Sequence, residues 1–142
     1  VLVFDEADRM LDMGFAEDAQ RLAEACAALP LFRVPATPAD VTHAWYRFYA
    51  FVESGRLKPG WTRDRIIEEI NARGVPCFHG SASEVYLEKA FDGTGWRPRE
   101  RLPTAKQLGE TSLAFLVHPA LTHTEISKTC DVIREVGALA QA

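Results

Sequence analysis

The chain has 142 residues, of which 47% are hydrophobic and 25% charged, and with nine glycines and eight prolines this composition is that of a globular domain. It excludes a disordered chain, a collagen and a coiled coil. Sixteen Lys and Arg residues against twenty Asp and Glu residues give a formal net charge of −4, so the protein has no general electrostatic attraction to a nucleic acid.

The first third of the chain predicts a strand, a helix and a connector. Val1 to Phe4 is an apolar run, typical of a buried parallel strand that ends at Asp5. Apolar residues then recur at helical spacing until Pro30, which predicts a helix that ends there. These apolar positions are Ala19, Leu22, Ala23, Cys26 and Leu29. Arg33 to Thr42 has no regular period and is predicted to be a connector.

The middle of the chain predicts two strands around a helix. Ala44 to Val52 is rich in aromatic residues and apolar on both alternating faces, which indicates a central strand. After a turn over residues 54–60, Thr62 can cap a helix that Arg73 and Gly74 end. Its apolar stripe consists of Ile66, Ile67 and Ile70. Val75 to His79 reads as a short strand, and Pro76 within it favours either the first residues of a strand or an edge position.

The last third predicts a turn, a short helix, a loop, a strand and a helix. Residues 80–83 form the turn, residues 84–91 the short helix and residues 92–103 the exposed loop. Ser112 to Val117 is a strand candidate, and Thr122 with Glu125 makes a capping box for the final helix. The apolar positions of that helix are Ile126, Cys130, Ile133 and Leu139. We therefore expect an α+β fold in which helices cover a small antiparallel or mixed sheet.

The cysteines and the apolar runs indicate in which cell compartment the protein resides and which partners it can have. Cys26, Cys77 and Cys130 are odd in number and far apart, so neither a disulfide framework nor a metal site is expected. The longest apolar stretches fall far short of the ~20 residues that cross a bilayer, and no signal peptide begins the chain. We expect a cytoplasmic protein with no membrane partner. The lack of an initiator Met suggests a fragment or part of a larger gene product.

Two resemblances divide the chain, and the first concerns its N-terminus. Val3 to Phe15 reads VFDEADRMLDMGF and resembles motif II of the DEAD-box RNA helicases. In that family the Asp holds Mg²⁺ through water and the Glu positions the attacking water, so the resemblance implies these roles for Asp5 and Glu6. The sequence contains no G-x-x-x-x-G-K-[ST] phosphate loop, so a nucleotide cradle is missing from it.

The second resemblance extends from about Gln20 to the C-terminus. It is carried by residues 22–35, HAWYRF at 43–48, RGVPC at 73–77, SEVYLEKAF at 83–91 and residues 108–122. Together these segments resemble the C-terminal part of DegT-type sugar aminotransferases. The resemblance implies a leader over residues 1–19 and, over residues 20–142, a small domain like that of the fold-type I aminotransferases that use pyridoxal phosphate.

The aminotransferase resemblance also implies what this chain lacks. In such enzymes pyridoxal phosphate is bound covalently by a lysine of the large domain, which falls outside this sequence. The four lysines present lie in a predicted turn or on predicted amphipathic helices, where no apolar pocket lowers the pKa of an amine. They are Lys58, Lys89, Lys106 and Lys128. We therefore expect no catalytic residue in this chain, no cofactor bound to it alone, and in the parent enzyme pyridoxal phosphate, a nucleotide-sugar substrate and a homodimer.

Candidate substrate-binding residues lie in two segments. Small residues between a strand and a helix leave backbone amides free for an anionic or hydroxylated ligand, as after His79. There the candidates are His79, Ser81, Ser83 and Glu84, with a Ser81–Glu84 capping box as the alternative. By the resemblance, His43 and Tyr46 face the cofactor cleft, with a core role as the alternative.

Three further possibilities remain open. His118 could end its strand at the cleft or merely cap the strand. Arg97, Arg99 and Arg101 could bind a diphosphate or form a solvated charge run. The alternatives to an aminotransferase domain are a remnant of an RNA-dependent ATPase that uses Asp5 and Glu6, and a noncatalytic module that dimerises or docks through an exposed apolar patch.

Overall fold

The computed structural model of the protein describes residues 15–41, 43, 45–118 and 120–142. These residues form the helices α1 (Phe15–Ala27), α2 (Arg63–Ala72), α3 (Pro103–Thr111) and α4 (His123–Ala140), and the strands β1 (Phe32–Arg33), β2 (Arg47–Val52), β3 (Cys77–His79) and β4 (Ser112–Leu116). Short 3-10 turns occupy Ser54–Arg56, Val85–Leu87 and Lys89–Phe91. The predicted strand at residues 1–4 and the helicase-like segment, with Asp5 and Glu6, lie outside the described residues.

The four strands form one antiparallel sheet in the order β1-β2-β4-β3. Phe48 of β2 is opposite Phe115 of β4, which is opposite Cys77 of β3. The predicted α+β fold with a small sheet and covering helices is confirmed, and the sheet is antiparallel rather than mixed. β2 is an inner strand and β3 an edge strand, as the aromatic run and Pro76 predict.

The core lies between one face of the sheet and the helices α1, α2 and α4. Along β2, buried residues alternate with half-buried ones, so that Phe48, Ala50 and Val52 face the core. The rings of Phe48 and Phe115 are 6.4 Å apart between centroids. The apolar stripes predicted for the three helices supply the other half of the core, including Leu22, Ile66, Ile70, Ile126 and Ile133.

The helix starts predicted at Thr62 and Thr122 are also confirmed, whereas α1 ends at Ala27, three residues before Pro30. Thr62 Oγ1 accepts a hydrogen bond of 3.1 Å from the Arg65 amide at the start of α2. At the start of α4, Thr122 Oγ1 accepts from the Glu125 amide while the Glu125 carboxylate accepts from the Thr122 amide at 2.7 Å. This reciprocal pair satisfies two amides that the helix itself leaves without partners.

Several expectations need correction. Residues 103–111 form α3, a helix that the sequence did not predict. Arg33 pairs with Phe51 as part of β1 and so does not belong to the connector. Leu139 of α4 is 46% exposed instead of buried, and only one face of β2 is buried, since Arg47, Tyr49 and Phe51 on the other face are half-buried. The predicted short helix over residues 84–91 is two 3-10 turns.

All three cysteines are buried and unpaired. Across the described ranges, no helix combines the length and the apolar character that a membrane span needs.

Candidate functional site

The face of the sheet opposite the core carries aromatic and polar side chains. We call it the open face, and define it by Arg47, Tyr49 and Phe51 of β2 with Phe78 of β3. Tyr49 and Phe78 both lie opposite Ala114 in the sheet register, so their rings flank a residue with a small side chain. Phe78 is 44% exposed. Aromatic surface left accessible in this way is typical of a ligand or protein contact.

A cleft of about 350 Å³ lies where the open face meets α3 and the segment after β3. It is lined by Tyr49, Phe51, Ser81, Ser83, Leu108 and Ser112. The Tyr49 hydroxyl and Ser81 Oγ are 2.7 Å apart, a hydrogen bond in which either can be the donor. The accessible surface of this lining comes mainly from the two aromatic rings and the leucine, and four hydroxyl groups, two of them bonded to each other, contribute little to it.

A second cleft, of about 310 Å³, continues the first and shares Tyr49 and Phe51 with it. His43 and Trp45 contribute to it, with ring centroids 4.3 Å apart. The Trp45 amide donates a hydrogen bond of 2.8 Å to His43 Nδ1, which fixes the imidazole against the indole. Trp45 has a φ of 51°, a strained value for a bulky residue, and such strain is common at functional sites.

Glu84 is held by side chains and does not form the alternative capping box. Its carboxylate accepts hydrogen bonds from Arg101, with Nε at 2.8 Å, and from the Tyr86 hydroxyl at 2.7 Å. These bonds, that of Arg101 first, lower the pKa of Glu84 to about 2. Ser81 bonds to Tyr49 instead, so the capping-box alternative is wrong.

The three arginines of the loop have different environments. Arg97 donates to the carbonyl oxygens of Tyr86, Leu87 and Glu88 and forms an ion pair with Asp92 at 2.7 Å. Arg101 pairs with Glu84. Arg99 is exposed. Because two of the three guanidinium groups hold the loop together, the geometry does not favour a shared diphosphate site.

The predicted site residues therefore divide into two groups. Ser81 and Ser83 line the first cleft, and His43 lines the second. His79 lies instead beside α2, with Nε2 3.2 Å from Asp64 Oδ1, and Tyr46 is 73% exposed with the Arg47 guanidinium 5.6 Å from its ring centroid. Glu84 binds Arg101 and Tyr86 and so stabilises the loop instead of lining a cleft. His118 is half-buried, and its carbonyl oxygen accepts from the Leu121 amide at 3.0 Å, so it ends the strand in a turn.

Sequence reasoning missed most of the cleft lining. Tyr49, Phe51, Leu108 and Ser112 were assigned to a strand or left unassigned. The alternation of Arg47, Tyr49 and Phe51 along β2 was the available signal, since these three residues must share one face.

The lysines do not fit a pocket for a covalently bound cofactor. Lys58, Lys89, Lys106 and Lys128 are all exposed. Lys58 and Lys128 each donate to a backbone carbonyl at 3.2 Å, and Lys106 is 3.9 Å from Glu110. A lysine that reacts with a cofactor needs an apolar surrounding that lowers the pKa of its amine. Among the described residues, no group of three or more His, Cys, Asp or Glu side chains could hold a metal ion.

Comparison with known proteins identifies the family. The sequence model of the DegT/DnrJ/EryC1/StrS aminotransferase family matches residues 8–134. The chain belongs to this family. An aminotransferase from Psychrobacter cryohalolentis is 54% identical in sequence, with a TM-score of 0.86, over 93% of this chain and 36% of that protein. Enzymes of the family depend on pyridoxal phosphate.

Two more distant structures share the fold. The aminotransferase TlmJ from Streptoalloteichus hindustanus is 21% identical with a TM-score of 0.73, over 88% of this chain and 31% of that one. A sugar aminotransferase from Micromonospora echinospora is 14% identical with a TM-score of 0.68, over 85% and 29% of the two chains. The chain thus spans about a third of the length of the aminotransferases it matches. The helix α1 runs without a break across the predicted boundary between residues 19 and 20.

Proposed function

We propose that this chain is the small domain of an aminotransferase that uses pyridoxal phosphate and acts on a nucleotide-linked keto sugar, and that it does not complete a catalytic site by itself. One observation carries the proposal. The open face presents a largely apolar cleft that has three serines in its lining, whereas all four lysines are exposed. The described part of the chain therefore has surface for a substrate but no buried lysine to hold the cofactor.

The chemistry of the first cleft supports a sugar as its ligand. The rings of Tyr49 and Phe51 provide apolar surface for the C–H groups of a sugar ring. Ser81, Ser83 and Ser112 provide hydroxyl groups, each able to donate to and accept from a sugar hydroxyl. A mostly apolar lining with a few polar groups is typical of small-molecule sites in general. In this proposal Ser81 and Ser83 contact the substrate directly.

The remaining predicted residues have other roles in the proposal. His43, from the second cleft, borders the substrate at the side of Trp45, and Tyr46 and His79 contact substrate or neighbouring protein through their exposed edges. Glu84 acts indirectly, because its carboxylate is occupied by Arg101 and Tyr86.

The proposal also covers the parent enzyme of which this chain is a domain. We expect it to be a cytoplasmic homodimer, with residues 20–142 as its small domain after a leader over residues 1–19. The exposed aromatic surface of the open face, Phe78 included, supports a contact with further protein.

A domain exchange tests the proposal. Residues 20–142 replace the matching third of the Psychrobacter cryohalolentis aminotransferase, to which this chain is 54% identical. If the proposal is right, the chimera transfers an amino group to a nucleotide-linked keto sugar. Replacing Tyr49 with Ala in the chimera removes a cleft wall and raises the KM for that substrate, whereas Lys89→Ala, an exposed change away from both clefts, leaves the KM unchanged.

Two results would contradict the proposal. The isolated chain, mixed with pyridoxal phosphate, should show no absorbance band that depends on a lysine, and such a band would mean that the chain carries a cofactor site of its own. A chimera that folds and dimerises but has no activity would favour the noncatalytic docking module.

A further inference from the structure

The segment Gly80–Ser83 is held against α3 and β4 at two points. At the first, Gly80 lies so close to Ser112 that a Cβ on residue 80 would be 2.6 Å from Ser112 Cβ. At the second, a Cβ on Gly109 would be 2.6 Å from Ser83 Oγ. At residue 80 only glycine leaves room for this approach, since real Cβ atoms do not come within 3.0 Å of another Cβ, whereas a Cβ at residue 109 would require the Ser83 hydroxyl to rotate away. The two contacts fix both ends of the segment that carries Ser81 and Ser83.

The guanidinium group of Arg63 binds the backbone at both contact points. Arg63 Nη1 donates to the carbonyl oxygen of Gly109 at 2.9 Å and to that of Ser112 at 2.9 Å. The side chain of Arg63 is only 13% exposed, so these bonds are largely shielded from water. Hydrogen bonds made by a charged donor are stronger than neutral ones, and partial burial strengthens them further. Arg63 thus joins the end of α3 to the start of β4.

Arg63 also reaches the other end of the segment through Asp64. Its Nε donates to Asp64 Oδ1 at 2.7 Å, and the same oxygen is 3.2 Å from His79 Nε2. The bond from Arg63 is the largest cause of the lowered pKa of Asp64, which therefore stays charged beside His79. His79 immediately precedes Gly80. Arg63 and Asp64, the first two residues of α2, thus bind both sides of the serine segment. Asp64 contacts His79, which precedes the segment, and Arg63 contacts Gly109 and Ser112, against which the segment packs.

We infer that Arg63 is a positioning residue that sets where the Ser81 and Ser83 hydroxyls stand in the first cleft, an inference that rests on the proposed function. Arg63 is not among the residues that line either cleft. It fixes the two surfaces on which the segment rests, so its loss lets Gly109 and Ser112 move apart. The hydroxyl groups then lose the fixed spacing that recognition of a particular sugar requires.

Hydrogen exchange in the intact chain tests the inference without any ligand. Arg63→Met keeps the length and apolar character of the side chain but removes its donors. We expect the amides of residues 81–83 to exchange about tenfold faster, because their local opening becomes easier. Arg63→Lys retains a charged donor and should restore most of the protection. Arg65→Met is the matched control on the same helix turn, since Arg65 binds the Gly60 carbonyl and the Trp61 ring instead.

A second variant approaches the same contact from the other side. Gly80→Ala leaves the Arg63 bonds in place but puts a Cβ 2.6 Å from Ser112 Cβ, so the segment must move away from β4. It should speed exchange at residues 81–83 as Arg63→Met does, with the amides of α1 unchanged in both. Acceleration spread evenly over the whole chain would mean a merely structural role, and unchanged exchange at residues 81–83 in Arg63→Met would overturn the inference.

The chimera separates this inference from the proposed function. In an active chimera, Arg63→Met should raise the KM for the nucleotide-linked sugar while kcat stays within about twofold, because the change affects substrate position and not the cofactor. Faster exchange with an unchanged KM would overturn the inference about the hydroxyls. An inactive chimera would count against the proposed function alone, since the exchange experiment needs no activity.

Discussion

The hydroxyl group of Tyr49, on the middle of β2, lies 2.7 Å from Ser81 Oγ, on the segment that follows the edge strand β3. The two residues are 32 positions apart in sequence and are separated in the sheet by β4. The bond therefore crosses the open face and closes one side of the cleft. It ties a rigid inner strand to a segment without regular structure.

This bond should appear as energetic coupling between the two residues. Tyr49→Phe and Ser81→Ala should each lower the free energy of unfolding by at most about 1 kcal/mol, because the bond is exposed to water. The double variant should cost less than the sum of the two, with a coupling near 0.5 kcal/mol. Urea unfolding of the four proteins measures it. Tyr46→Phe, at an exposed neighbouring tyrosine, is the control, and strict additivity would show that the bond is absent in solution.

The ion pair between Glu84 and Arg101 predicts that the stability of the loop falls at low pH. The folded state lowers the pKa of Glu84 to about 2, against about 4.3 for an unfolded Glu. The pairing therefore stabilises the fold fully above pH 4.3 or so, and this stabilisation is lost as the pH falls toward 2. A titration of the Glu84 carboxyl carbon by NMR should show the low value directly.

Arg101→Met should return the pKa of Glu84 toward its ordinary value, because the largest cause of the shift is removed. Part of the shift should remain, since the Tyr86 hydroxyl still donates to the carboxylate. Arg99→Met, on the same loop, should leave the pKa of Glu84 near 2. An equal response to both variants would mean that general positive charge, and not the hydrogen bond, causes the shift.

The packing of α4 against residues 29–32 leaves no room for a side chain at Gly137. A Cβ there would be 2.8 Å from Phe32 Cε2 and would also collide with Leu29. Gly137→Ala should lower the free energy of unfolding by about 1–3 kcal/mol despite the better helix propensity of Ala. Gly55→Ala is the control, with nothing within 4 Å, and should change the stability by less than about 1 kcal/mol. Thermal unfolding of both variants gives the comparison.

The three thiols should differ in reactivity. Burial raises the pKa of Cys26 and of Cys77 to about 12, so neither forms a reactive thiolate in the folded protein. Burial also raises the pKa of Cys130, but Arg21 and Arg134 oppose the shift, and Cys130 lines a surface cleft between α1 and α4. A chromogenic disulfide reagent at about pH 8 should therefore label Cys130 first and the other two only on unfolding.

Cys130→Ser identifies the thiol that reacts first. This variant should abolish the early labelling phase and leave two thiols that appear in denaturant. Rapid labelling of all three cysteines in the native protein would contradict the burial of Cys26 and Cys77.

The sequence predicts the elements whose signals are local. The helix α4 has an apolar stripe and a complete capping box, and both are visible within a few residues. The helix α3 has neither, because its N-cap Leu102 makes no side-chain bond and its one buried residue is Thr111. Contacts with β2 and with the serine segment stabilise α3, and such contacts cannot be read from residues 103–111 alone.

The candidate site was harder to predict than the fold for the same reason. Ser81 and Glu84 have the spacing of a capping box, but each has a stronger partner elsewhere, Tyr49 for the serine and Arg101, 17 residues away, for the glutamate. The aromatic residues of β2 were identified as strand residues. Which of them faces a ligand depends on the side that the helices cover, and the pattern of β2 itself does not contain this information.

The position of β4 in the sheet has a consequence for synthesis of the protein. This strand is made last of the four but lies between β2 and β3, which do not touch each other. Until residues 112–116 have left the ribosome, both neighbours have open hydrogen-bonding edges, and nascent chains that end before Ser112 are exposed to aggregation. Folding of the sheet is thus postponed until residues 112–116 have been made.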